Sequence, residues 1–113
     1  MYKVNSCEFN YVYNDRVFLP YSIATLVSHV KTNSNLSQNF NFEKTFISRS
    51  KVDEYVQRCT DTDILLCSCY VWNWEITTYL AKKVKEINPN CLIIFGGPQT
   101  PDLAEGFFEK YSF

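Results

Sequence analysis

The sequence predicts an α/β domain built on a doubly wound parallel sheet. Three observations carry that reading. Residues 64–69 and 91–95 are short, nearly unbroken apolar runs, the pattern of strands covered on both faces. Between them Ile76, Leu80, Val84 and Ile87 recur at spacings of three or four, a helical stripe. Weaker strand and helix patterns alternate upstream, so the order reads βαβαβαβα, with helices on both faces of the sheet.

In chain order, residues 2–9 form a first strand, with Val4, Cys7 and Phe9 as its apolar positions. Residues 10–20 then make a loop longer than the roughly two to six residues usual in a βα connection, and long loops there are often functional. Pro20 opens a helix whose buried stripe is Ile23, Leu26, Val27 and Val30. A polar connector, 33–41, leads to a weak second strand, 42–47, expected at a sheet edge. Ser50 is placed to cap a short helix over 51–59, with Val52, Tyr55 and Val56 facing inward.

The strong βαβ unit follows. Asn73 suits its helix N-cap, Glu75 its first turn, and Lys82, Lys83 and Lys85 its last turns. Asn88-Pro89-Asn90 stops that helix. After 91–95, Gly96-Gly97-Pro98 turns the chain. Thr100-Pro101-Asp102 reads as the start of a final helix burying Leu103, Phe107 and Phe108 and ending near Tyr111. The strand order that fits is flavodoxin-like (or Rossmann-like), 2-1-3-4, without the expected fifth strand. On that expectation residues 1–113 are a single domain that looks cut short.

Composition narrows the function. At 113 residues, 46% hydrophobic and 17% aromatic, the chain can bury one core. A net charge of −1 with scattered Lys and Arg gives no footprint for nucleic acid. No apolar run reaches about 18 residues, so none reads as a membrane span, and the first residues have no signal-peptide core. The five cysteines, Cys7, Cys59, Cys67, Cys69 and Cys91, contain no C-x-x-C pair and no metal-like spacing with His29. They read as reduced core thiols of a cytoplasmic protein.

Ligands of open α/β sheets bind beyond the carboxyl ends of the strands, where the winding reverses. Loops 14–20, 68–73 and 96–100 meet there and bring Asp15, Arg16, Ser68, Tyr70, Trp72, Trp74, Gly96, Gly97 and Gln99. The aromatic side chains suit a large flat ligand or a partner. The glycines serve either close ligand approach or a turn needing positive φ. There is no G-x-G-x-x-G, P-loop or G-x-S-x-G. His29 falls outside its helix's stripe, about 13 Å along the axis from Pro20, and is expected in solvent. Asp61 and Asp63 sit at the amino end of a strand, in a solvated turn.

The segment DILLCSCYVWNWEITTYLAKKVKEINPNCLIIFGGPQTPD, residues 63–102, resembles the cobalamin-binding domain at the N-terminus of radical S-adenosylmethionine enzymes. Its Ser-x-Tyr-Val-Trp-Asn and Gly-Gly-Pro-Gln pieces carry the likeness. NDRVFLPYSIATLVSHV is similar to that family's first loop and helix, and the resemblance extends over residues 9–112.

The resemblance implies a corrinoid at the carboxyl edge. Asp15, Arg16, Val17, Phe18 and Leu19 would flank it from the first loop, and Ser68, Cys69, Tyr70, Val71 and Trp72 from the second. Gly96, Gly97, Pro98 and Gln99 would line it from the third. Ser68 would bond the nucleotide tail, and the glycines would let that tail pass. Against the D-x-H-x-x-G pattern of histidine-ligating corrinoid domains, Val17 stands at the histidine position and Pro20 at the glycine. Cobalamin is therefore expected without a protein histidine on cobalt, over apolar Val17 or Phe18. The C-x-x-x-C-x-x-C iron–sulfur motif is missing, which assigns the cluster, S-adenosylmethionine and catalysis to a following barrel domain. The competing readings are a ligand-free scaffold of the same fold and a flavodoxin-like flavin or nucleotide domain. Self-association through the apolar fourth strand is also expected.

Overall fold

The computed structural model describes residues 1–13, 16–17, 19–103 and 105–113. The elements run β1 (Tyr2–Cys7), β2 (Val12–Tyr13), β3 (Arg16–Val17), α1 (Tyr21–Thr32), α2 (Ser34–Ser37), β4 (Phe40–Phe42), α3 (Val52–Arg58), β5 (Ile64–Ser68), α4 (Trp74–Ile87), β6 (Leu92–Gly96) and α5 (Phe107–Lys110). Strands β4, β1, β5 and β6 form a parallel sheet in that spatial order, 2-1-3-4 counted along the chain. The expected doubly wound α/β arrangement is present.

Alternation along the strands sorts side chains between two faces. Cys7 and Phe9 follow one parity of the first strand, and Leu65, Cys67 and Cys69 the same parity of β5. They join Tyr55, Val56 and Cys59 from α3 and its end, and Leu80 and Val84 from α4, in one buried cluster. Phe46 and Tyr55 stack inside it at 4.2 Å. The opposite parity, Ser6 and Glu8, Leu66 and Ser68, Ile94 and Gly96, looks toward α1, the helix on that side whose Ile23 and Leu26 meet Leu66, Ser68 and Ile94.

That asymmetry corrects several expectations. Of the α1 stripe only Ile23 is buried. Val27 and Val30 are half-buried and Leu26 is 48% exposed, because the helix borders a crevice instead of seating flat. Strand β6 is not covered on both faces: Ile93 and Phe95 pack on the core, while Leu92 and Ile94 are 55% and 44% exposed. On α4 the inward face is Thr77, Leu80, Ala81 and Val84. The small Thr77 and Ala81 are completely buried in that face, and Ile76 and Ile87 fall to its flanks, Ile87 exposed.

Other differences are local. The long loop after the first strand contains the β2–β3 hairpin, paired Val12 to Val17 and Tyr13 to Arg16. The polar connector holds α2, capped by Asn33, whose Oδ1 accepts from Asn35 N at 3.1 Å. The second sheet strand is Phe40–Phe42, so of the expected 42–47 run only Phe42 lies in it, paired with Val4, and Phe46 makes an isolated bridge to Cys7. Ser50 caps nothing; a 3-10 turn, Arg49–Lys51, leads into α3 instead. The last helix shrinks to α5, leaving Leu103 and Phe108 exposed, with Phe108 bordering an open hollow beside β6. All five cysteines are buried and unpaired, as expected.

Candidate functional site

Leaving β1 the sheet continues to β4 on one side, and leaving β5 it continues to β6 on the other. The carboxyl ends of β1 and β5, paired from Val4–Ile64 to Cys7–Cys67, therefore face a reversal of winding. A cavity of about 450 Å³ opens there, lined by Glu8, Asn10, Tyr11, Tyr70 and Trp72.

Its wall is an aromatic platform. The Tyr70 and Trp72 rings stack at 4.5 Å and 6°. Trp72 Nε1 donates to Asn10 Oδ1 at 3.1 Å, and the Tyr70 and Ser22 hydroxyls are 2.7 Å apart. Arg49 lies 4.2 Å over the Tyr11 ring and donates from Nη2 to the Trp72 carbonyl. Its Nε is buried and has no partner among the described residues. Hydrogen bonds from three separate segments, with Arg49 also seated on Tyr11, thus fix the loop that carries these two parallel, stacked rings.

Asn73 organises the floor. The sequence marks it as a helix cap, but its side chain makes no capping bond. Instead Oδ1 accepts from Tyr70 N at 2.8 Å, and Nδ2 donates to the carbonyls of Phe9 and Ser68, both at 3.0 Å. One buried amide thereby ties the ends of the first and third sheet strands to the aromatic loop.

Beside the cavity, on the α1 face, runs a crevice of about 170 Å³ lined among others by Ser22, Ile23, Leu26, Ser68, Ile94 and Gly96. Pairing of β5 with β6 sets Ser68 next to Gly96. The two glycines here have different reasons. Gly97 has φ +103°, and a Cβ on it would lie 2.6 Å from the Cys69 carbonyl oxygen, so backbone geometry demands it. Gly96 has no such constraint: its added Cβ would meet nothing within 4 Å and would project into open space. The Ser22–Tyr70 hydrogen bond joins a residue of the crevice to one of the cavity.

Of the residues singled out in the sequence, Ser68, Tyr70, Trp72, Gly96 and Gly97 converge on these two hollows. Pro98 and Gln99 are exposed and line neither hollow, with Gln99 N donating to the Cys69 carbonyl at 3.2 Å. Leu19 and Val71 are exposed. Cys69 points into the core on the other face, its thiol donating to the Cys67 carbonyl and pushed up to about 12 by burial. Trp74 also turns away, its Nε1 donating to the Tyr111 hydroxyl at 3.0 Å beside Phe95. Asp15 and Phe18 lie outside the described residues, as do the side chains of Arg16 and Val17. His29 is exposed on α1, and Asp61 at the amino edge pairs with Lys3 at 2.7 Å. Glu8, Asn10, Tyr11, Ser22 and Arg49 were not legible as site residues. The polar Glu8-x-Asn10 pair just past an apolar strand was the available signal.

The chain is thus a domain of the doubly wound α/β class, with an aromatic cavity and a glycine-bordered crevice at the sheet edge where such folds hold ligands. Over 100 residues, 88% of its length, the chain is 33% identical to the cobalamin-dependent radical SAM methyltransferase TokK of Streptomyces tokunonensis. Over 96 residues, 85% of its length, it is 31% identical to the 2-(S-pantetheinyl)-carbapenam-3-carboxylate methyltransferase of Streptantibioticus cattleyicolor. The chain spans 15% and 14% of the lengths of these two relatives. No protein-family model matches it. Over most of its length the chain is thus similar to cobalamin-dependent radical S-adenosylmethionine methyltransferases, the group whose cobalamin-binding domain its sequence resembles.

Proposed function

We propose that this chain is the corrinoid-binding module of a methyltransferase-type radical S-adenosylmethionine enzyme, and that it performs no catalysis alone. The observation that carries the reading is Gly96. A glycine required by neither φ nor packing, beside Ser68 in an open crevice, leaves room for a ligand segment to lie against β5 and β6. The named cobalamin dependence of TokK supports the choice of ligand.

In this reading the tail of the corrinoid lies in the crevice, within reach of the Ser68 hydroxyl, and the stacked Tyr70 and Trp72 flank the ring. Residues 15–19, Pro98 and Gln99 are the further ligand contacts that the resemblance offers. The bound group supplies a cobalt centre able to carry a methyl group. The chain's own residues bind it, orient it and shield one side from water. In this reading no protein histidine ligates cobalt, since Val17 and Pro20 stand where the histidine-ligating pattern has histidine and glycine. A following barrel domain with its iron–sulfur cluster and S-adenosylmethionine is the proposed partner. Five buried free thiols suit a reducing, cytoplasmic setting.

The test is a visible-absorbance titration with hydroxocobalamin and methylcobalamin, followed by desalting. We expect a retained corrinoid, without histidine coordination, and unchanged by His29→Ala. Gly96→Leu should keep the fold and abolish retention by filling the crevice. Retained yellow flavin, or no ligand at all, would favour the competing redox or scaffold readings.

A further inference from the structure

We infer that Glu8 is a ligand-binding residue, the acceptor for an amide N–H on the ring periphery of the ligand; this deepens the corrinoid reading and rests on it. Glu8 is only 4% exposed, yet it lines the 450 Å³ cavity at the carboxyl end of the first strand. Its Oε1 accepts a long bond, 3.3 Å, from Ile23 N in the first turn of α1. That helix opens at Pro20, which has no capping side chain, so one carboxylate oxygen serves as a substitute cap. The other oxygen, Oε2, has no hydrogen-bond partner among the described residues, and no ion pair among them involves Glu8.

With one long bond among the described residues, this carboxylate keeps acceptor capacity for a donor that enters the cavity. The cavity around it does not fill it: the Asn10 oxygen is taken by Trp72 Nε1, and the Tyr70 hydroxyl is engaged by Ser22. Nor does any described cation reach it, since Arg49 is committed to Tyr11 and the Trp72 carbonyl. The complementary ligand group is a neutral or cationic donor carried beside a flat ring seated on Tyr70 and Trp72. An amide fits; a carboxylate at the same place would meet like charge. Glu8 therefore sets specificity for amidated over acidic forms of the ligand. A cap alone would produce no such selection.

The experiment compares binding of hydroxocobalamin with binding of its separated monocarboxylic acids, each with one peripheral amide hydrolysed, to the wild-type chain and to Glu8→Gln. We expect at least one acid to bind the wild type about tenfold more weakly than the parent. Glu8→Gln, which keeps an acceptor for Ile23 N, should bring that acid within about twofold of the parent. Equal binding of every acid by the wild type, or identical ratios in the variant, overturns the role of Glu8 while leaving the corrinoid reading intact. Failure of the wild type to bind the parent corrinoid overturns that reading, and Glu8 falls with it.

Discussion

At Gly96 and Gly97 two neighbouring residues of one kind do different jobs. Gly97 is structural, closing a left-handed turn against the Cys69 backbone, whereas Gly96 keeps a crevice open. Asn73 shows the same economy with a side chain, since three hydrogen bonds to Tyr70, Phe9 and Ser68 replace the single cap expected of it. Its removal leaves buried backbone groups unsatisfied. Asn73→Ala is expected to cost about 2–4 kcal/mol of stability, summing three bonds at ordinary strength. It should also weaken corrinoid retention, because the loop carrying Tyr70 and Trp72 loses its anchor. Urea unfolding measures the first effect and desalting the second. A variant within about 0.5 kcal/mol of wild type would reduce Asn73 to a bystander.

Among the elements, β6 is the least settled. Its inner side pairs with β5 from Ile64–Leu92 to Ser68–Gly96, and it packs Ile93 and Phe95 on the core. Its other residues, Leu92 and Ile94, are exposed, and among the described residues no strand pairs with its outer edge. Unpaired apolar edges recruit further strands. We therefore propose association through β6. Sedimentation at high micromolar concentration should show concentration-dependent dimers of the wild type. The double change Leu92→Lys, Ile94→Lys should give monomers with the melting temperature little altered, as both side chains already face solvent. A wild type that stays monomeric at every concentration removes the proposal.

Across the whole molecule, the core is one-sided and thiol-rich. Burial pushes Cys59 up to about 11 and Cys69 up to about 12, and raises Cys67 and Cys91 as well. Below the ordinary thiol range, about 8.5, folded and unfolded chains both keep these protons and pH has little leverage. Above it the unfolded chain ionises while the folded core cannot, so stability declines as pH climbs toward about 11 to 12. Urea midpoints at pH 7.5 and at pH 10 are expected to fall markedly between the two, and substituting Cys59 or Cys69 by Ala should flatten the decline. A pH-independent midpoint would mean that the thiols reach solvent in the folded state. Labelling by a thiol reagent in the native state should be correspondingly slow.

By itself the sequence determined the parallel sheet, its order, the central βαβ unit, the five core cysteines and the family resemblance, because apolar runs and periodicity are local consequences of burial. Ser68, Tyr70, Trp72 and the glycines were legible for the same reason: they end strong strands. The tertiary structure alone decided that α1 and β6 border a crevice, that Cys69 and Trp74 turn away, and that Glu8, Asn10, Ser22 and Arg49 complete the cavity. Those facts depend on which face of a strand a residue takes and on partners up to 62 positions away, as in the Asn10–Trp72 bond. Pairing at such separations leaves no periodic trace in the chain, since it is set by the packing of elements and not by their local propensities.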